Sequence, residues 1–442
     1  MSISFASHFT YKKLLRITLP SVIMLVFTSI YGVVDGFFVS NFVGKESFSA
    51  VNFIIPYLMI LGSLGFMFGT GGGALIAKTM GEGDTKRSDE LFSMIVYVSI
   101  ACGILLTILG LLTLRPLASA LGVEGRMLED SVRYGRIVLL VLPAYILQYE
   151  FQCLFATAGK AKLGLYVTVA AGLTNMVLDA LFVAVLPFGL EGAAAATALS
   201  QCAGGIIPLI YFARPNDSFL RLGKTALDGR SLGKICVNGS SELMSNISMS
   251  VVNMLYNVQL LKYAGEDGVA AYGVLMYVNM VFQAIFIGYS VGVAPIISYQ
   301  YGAQNHEELR SIRKKSLLLI GIFAIAMFGA AYGLSRPLST LFVGYDTELL
   351  ELTVHAFFIF SFSFLFSGFA IFGSSFFTAL NDGPTSAAIS FLRTLVFQVV
   401  AVVVLPLIWD VDGIWVSVTV AEIMAMLVTV FFLCVKQKKY QY

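Results

Sequence analysis

Apolar residues run along this 442-residue chain in long, unbroken stretches, at about 14–40, 48–77, 91–114, 131–157, 163–186, 190–213, 233–261, 269–298, 316–334, 352–379, 385–408 and 413–435. An α-helix needs roughly 20 such residues to cross the hydrocarbon core of a bilayer. A transmembrane β-strand would instead alternate over ~10-residue segments, and these stretches are continuous and rich in Leu, Ala and Gly. The pattern predicts an all-α integral membrane protein of twelve transmembrane helices. Composition supports it: 58% hydrophobic and 12% charged residues with a mean hydropathy of +0.85 are too apolar for one water-soluble core.

Most of the 28 lysines and arginines fall in the N-terminal tail, in the second, fourth, sixth and eighth loops and in the C-terminal tail. The positive-inside rule then places both termini in the cytoplasm, with the chain in the plasma membrane. The net charge of +2 points to no nucleic-acid partner. The first stretch is longer than the apolar region of a signal peptide and has no small-x-small cleavage site, so no cleaved leader is expected. Cys102, Cys153, Cys202, Cys236 and Cys434 stand singly and read as small hydrophobes.

A shift of 221 residues brings Arg115-Pro116 onto Arg336-Pro337, Gly44 onto Gly265, Ala50 onto Ala271, Gly81 onto Gly302 and Glu191-Gly192 onto Asp412-Gly413. The chain therefore reads as two parallel six-helix repeats: an N-lobe over residues 1–213, a basic cytoplasmic linker over 214–232, and a C-lobe over 233–442. Two such bundles around a central cavity suit a transporter that opens to alternate sides of the membrane.

The repeat also isolates the chemistry. Asp35 stands in an apolar stretch, and its counterpart 221 residues on is Tyr256; Asn175, Asp179 and Thr197 fall opposite Val396, Val400 and Val418. With ~1.5 Å rise per residue, these four polar groups lie roughly 8–16 Å below the outer ends of helices one, five and six. Asn175 and Asp179 share a helix face. A carboxylate at a helix centre costs roughly 2.5–3.5 kcal/mol, so it faces a cavity, pairs with a partner or marks an ion path. Two at one level repel unless a cation or a proton enters. Asp35, Asn175, Asp179 and Thr197 are thus a candidate site for Na⁺ or H⁺. The alternative is that the two aspartates bond to hydroxyls or backbone and only fix packing.

Other polar positions lie within spans. Glu242 is a second cation site, an anchor for a cationic substrate, or a solvated group near the inner interface. Glu150 and Arg393 face protein or water, and Arg393 is near enough to the cytoplasmic end to snorkel. Gln201 and Glu422, opposite one another in the repeat, are candidates for the cavity lining. Met244 and Met280, with neighbouring methionines and the Phe-rich tenth helix, offer an adaptable wall for varied ligands, or simply pack. Pro20 and Pro143 can bend their helices. "GTGGG" in helix two has no preceding strand and no following GKS or GKT, and no triad or HExxH occurs, so neither ATP-driven transport nor an enzyme is expected.

The order and spacing of "VVDGFFVSNFVG", "AKTMGEGD", "ATAGKAK", "NMVLDALF" and "PIISYQYGA" resemble the multidrug and toxic compound extrusion (MATE) family, over nearly the whole chain. The resemblance implies a V-shaped pair of lobes and a secondary antiporter that uses a Na⁺ or H⁺ gradient, with no other cofactor, to expel amphipathic, usually cationic, compounds. It implies that Asp35, Asn175, Asp179 and Thr197 form the N-lobe cation site. It also implies a bacterial membrane, a monomer, and the lipid bilayer and a small substrate as partners. One departure stands out: some members carry an acidic pair in helices seven and ten, whereas here Glu242 matches the first and the stretch 352–379 holds no Asp or Glu. A lipid-linked precursor flippase of the same wider superfamily is the alternative, and a channel or receptor is a more distant one.

Overall fold

A computed structural model describes residues 5–43, 45–120 and 124–442, and all regular structure in them is helical. Helix α1 (Tyr11–Phe38) runs into a π-helical turn at Val39–Val43. Helix α2 joins Lys45–Gly62 to Leu64–Gly81, and α3 spans Thr85–Ala120. Helix α4 bends by 63° between Gly125–Leu140 and Leu142–Thr157, where Pro143 starts the second segment. Helix α5 (Ala161–Asp179) continues as a π-helical turn at Ala180–Val185, and α6 is Gly189–Ala213. The helical stretch Gly229–Gly302 is broken at Gly265, whose φ of 65° requires glycine; it forms α7 and α8. Helix α9 is His306–Val343, and α10 bends by 50° between Thr347–Ser361 and Phe364–Ala379. Helix α11 runs from Gly383 to Val404 around a π-helical turn at Leu392–Val396. The last helix, Pro406–Val435, leaves helical geometry at Trp409 and Asp410, and α12 is the part beyond them.

Twelve helices therefore match the twelve apolar stretches, with informative differences. Helices α3 and α9 extend well past the expected 91–114 and 316–334, because hydropathy registers only the part in hydrocarbon. The linker is shorter than expected: α7 begins at Gly229, where the Asp228 carboxylate accepts from the Arg230 and Ser231 N–H groups as an N-cap does. Residues before it lie along α3, with the Arg221 N–H donating to Asp89 and the Thr225 hydroxyl to the Glu90 carbonyl.

The repeat is written into the backbone. Positive φ recurs at Gly83 and Gln304 and at Gly189 and Asp410, both 221 residues apart, and at Gly159 and Asn381. The expected counterpart of Gly265, Gly44, lies outside the described residues.

The lobes meet through paired close approaches. A Cβ on Gly71 of α2 would sit 2.3 Å from the Ile235 carbonyl oxygen of α7, and one on Gly292 of α8 would sit 2.9 Å from Cα of Thr18 on α1. Nearer the end that holds both termini, a Cβ on Gly81 would lie 2.1 Å from the Tyr299 carbonyl oxygen and one on Gly302 2.0 Å from that of Lys78. Each pair of contacts repeats at the 221-residue shift. Buried hydrophobic side chains follow the same division. One cluster, including Phe68, Phe92, Phe286 and Phe372, draws on both lobes, while Val51 and Tyr134 belong to an N-lobe cluster and Phe357 and Trp415 to a C-lobe cluster. The lobes are thus fused at the terminal end. Toward the other end, a Cβ on Gly32 of α1 or Gly273 of α8 would meet nothing within 4 Å. Among the described residues the outermost hydrogen bond between the lobes is the Ser29 hydroxyl to the Met280 carbonyl, at 3.5 Å.

The termini reinforce the closed end. Phe9 is buried, its N–H donates to Glu308 at 2.9 Å, and the Gln300 amide donates to the Phe5 carbonyl. At the C-terminus, Tyr442 packs against Phe376 and beneath the Arg313 guanidinium.

Candidate cation site in the N-lobe

Three π-helical turns occur among the described residues, and each adjoins an ionisable intramembrane residue. Asp35 lies one turn before the first, Asp179 immediately precedes the second, and Arg393 is inside the third. Such turns widen a helix by one residue and often mark functional sites.

Asp35, Asn175, Asp179 and Thr197 come together as predicted. The Thr197 hydroxyl points to Asp35 Oδ1 at 3.5 Å, and the Asn175 and Asp179 side chains flank the Asp35 carboxylate. Asp179 is fully buried and Asn175 nearly so. Both carboxylate oxygens of Asp179 and Oδ1 of Asn175 accept no hydrogen bond. Packing alone does not account for this arrangement, since a polar atom buried without a partner costs about 1–3 kcal/mol and a charged one more. A bound cation would be held by these oxygens, and a proton shared between the carboxylates would relieve the same repulsion.

Sequence reasoning missed the tyrosines around this group. The Tyr134 hydroxyl of α4 borders Thr197 and both aspartates. Tyr31, one turn before Asp35, faces Gln148, and the Tyr145 and Tyr149 hydroxyls lie 3.2 Å apart. Only Tyr31 carried a signal, its i−4 spacing from Asp35.

The C-lobe corrects one expectation. Polarity is not confined to the first half: the buried Tyr256 hydroxyl donates to Gln398 Oε1 at 2.7 Å and meets the Ser417 hydroxyl at 2.8 Å. The extra residue of the π turn in α11 advances its register, so Gln398, not Val396, stands where Asn175 stands. What belongs to the N-lobe alone at this level is charge. The C-lobe counterpart is neutral and internally satisfied.

The remaining candidates lie elsewhere. Arg393 does not snorkel; its Nε and a terminal nitrogen donate to the two carboxylate oxygens of Glu422 at 2.9 and 3.0 Å. Glu422 is therefore buried in this pair rather than lining a cavity opposite Gln201. Gln201 is buried on α6 with Oε1 unpartnered. Glu242 is partly buried and faces Arg393. Glu150 is fully buried on α4 with neither oxygen partnered. Met244 is partly buried and Met280 exposed. The expected aromatic wall is mostly core, because Phe357, Phe360, Phe364, Phe372, Phe376 and Phe377 of α10 are all buried.

Comparison with known proteins agrees with this architecture. The chain is 25% identical over 365 residues to the multidrug export protein MepA of Staphylococcus aureus (strain NCTC 8325 / PS 47), covering 81% of this chain and 80% of that protein. Its fold superposes with a TM-score of 0.94 on a crystal structure of MATE in complex with MaL6, at 22% identity and over 99% of this chain and 98% of the other. It also superposes with a TM-score of 0.93 on an outward-facing conformation of a multidrug resistance MATE family transporter, at 21% identity and with the same coverage. The MatE family profile matches twice, at residues 20–181 and 243–404, an offset that pairs Asn175 with Gln398. With both repeats matched, this multi-pass membrane protein belongs to the MatE family of efflux transporters.

Proposed function

We propose that the protein exports amphipathic, cationic compounds across a bacterial plasma membrane in exchange for Na⁺ or H⁺, working as a monomer with both termini in the cytoplasm. The observation that carries this reading is the Asp35–Asp179 pair, two neighbouring carboxylates inside the spans with the Asp179 oxygens unpartnered. A coupling cation fills that deficit when bound, and its departure restores the repulsion, so occupancy of the site and the arrangement of α1 against α5 and α6 are linked. The neutral Tyr256–Gln398–Ser417 cluster supports confining this coupling to the N-lobe. Closure of the lobes at the terminal end supports alternating access about the α1–α8 and α2–α7 contacts.

The test is movement of a fluorescent cationic dye into inside-out proteoliposomes under an imposed Na⁺ gradient or an imposed pH gradient. Dye uptake under one of them, lost in Asp35→Asn, is expected. Equal uptake by wild type and Asp35→Asn, or none under either gradient, would refute the reading.

A further inference from the structure

At the lobe boundary, below the aspartate site, carboxyl groups outnumber the cation beside them. The Glu242 carboxyl of α7 is partly buried and enters no ion pair among the described residues. It lies within electrostatic reach of Arg393 in its own lobe and of Cys153 on α4 in the other. Beyond Cys153 stands Glu150, buried, with both oxygens unpartnered and the Ser99 hydroxyl facing it. The Arg393 guanidinium spends both arms of its fork on Glu422, a geometry that fixes it in place. Glu242 is the one acidic group of this set that retains exposure.

We propose that Glu242 takes the positive centre of a lipophilic monovalent cation, and that Arg393, by neutralising Glu422, limits the site to one positive charge. The inference rests on the export of amphipathic cations proposed above. Glu242, Glu422 and Arg393 together carry one net negative charge, which a monocation balances. A second positive charge on the ligand would meet the Arg393 field without a free carboxylate to offset it. Arg393 is thus a specificity-determining residue that acts through Glu422 and Glu242.

Equilibrium binding of tetraphenylphosphonium and of a decane-bridged bis-triphenylphosphonium dication to the purified full chain tests this. Glu242→Gln should weaken tetraphenylphosphonium binding at least tenfold. Glu422→Gln should weaken it as well, because the released Arg393 turns toward Glu242. Arg393→Gln should raise affinity for the dication at least tenfold relative to the monocation. If Arg393→Gln does not fold, the near-isosteric Glu422→Gln still decides. Binding unchanged in Glu242→Gln or in Glu422→Gln, or an unchanged dication-to-monocation ratio in folded Arg393→Gln, would overturn the assignment. Such a result alongside gradient-driven dye export lost in Asp35→Asn sinks this inference alone. Wild-type protein that neither binds tetraphenylphosphonium nor moves dye sinks both.

Discussion

Alanine at position 302 should push the transporter out of the conformation described here without unfolding it. The added Cβ would lie 2.0 Å from the Lys78 carbonyl oxygen, whereas a close carbon–oxygen contact needs about 3.3 Å. Helices α2 and α8 must therefore give by roughly 1.3 Å. Neither atom is at the end of a flexible side chain, so the adjustment falls on the backbones. Overpacking of this kind costs about 1–3 kcal/mol. Because Lys78 and Gly302 belong to different lobes, that cost attaches only to the state in which the terminal end is closed, and it shifts the equilibrium between states by about 5–150-fold. Spin labels at Phe188→Cys and Leu407→Cys, exposed residues at the opposite end of each lobe, report the change by double electron–electron resonance in a background free of native cysteines. Gly302→Ala should move population to shorter distances. Gly333→Ala, whose Cβ would meet nothing within 4 Å, serves as the control. Identical distance distributions for the two variants would refute the reasoning.

Asp179→Asn should abolish gradient-driven dye export while inserting at wild-type levels, as judged by vesicle transport and membrane yield; wild-type export rates would count against the site. Tyr256→Phe should cost about 0.5–1.5 kcal/mol of stability through the lost Gln398 and Ser417 bonds and leave the ion requirement of transport unchanged, measured by thermal melting and by the same vesicles. At the linker, hydrogen bonds from the Ser231 hydroxyl and N–H, then the Arg230 N–H and Arg87, pull the Asp228 carboxyl down to about 2. A carboxyl so lowered stabilises the fold above its ordinary range near 4, and loses that contribution as pH falls through about 2. Asp228→Asn should therefore melt below wild type at pH 7, with the gap narrowing between pH 4 and pH 2; a gap independent of pH would contradict this.

The spans were legible because hydrocarbon demands long apolar runs whatever the fold's details. The repeat was legible because turn positions such as Gly83 and Gln304 need the same backbone. The aspartate site could be read because charge inside a span is costly enough to be conspicuous, and because the counterparts of Asp35 and Asp179 are uncharged. Facing was harder to read. Each residue turns a helix by about 100°, so one extra residue in the π turn of α11 moved Gln398, rather than Val396, into the place of Asn175. A lone tyrosine in an apolar run resembles any aromatic packing residue, which hid Tyr134. Arg393 and Glu422 are 29 residues apart on different helices, and no periodicity links them.

The central claim is that Asp35 and Asp179 share one exchangeable cation. Direct ion binding by the purified protein tests it, with radioactive sodium binding and proton release on Na⁺ addition followed across pH. Saturable Na⁺ binding, or a pH-dependent proton on this pair, that disappears in both Asp35→Asn and Asp179→Asn is the predicted result. Ion binding that survives either substitution, or neither ion bound by the wild type, would contradict the account.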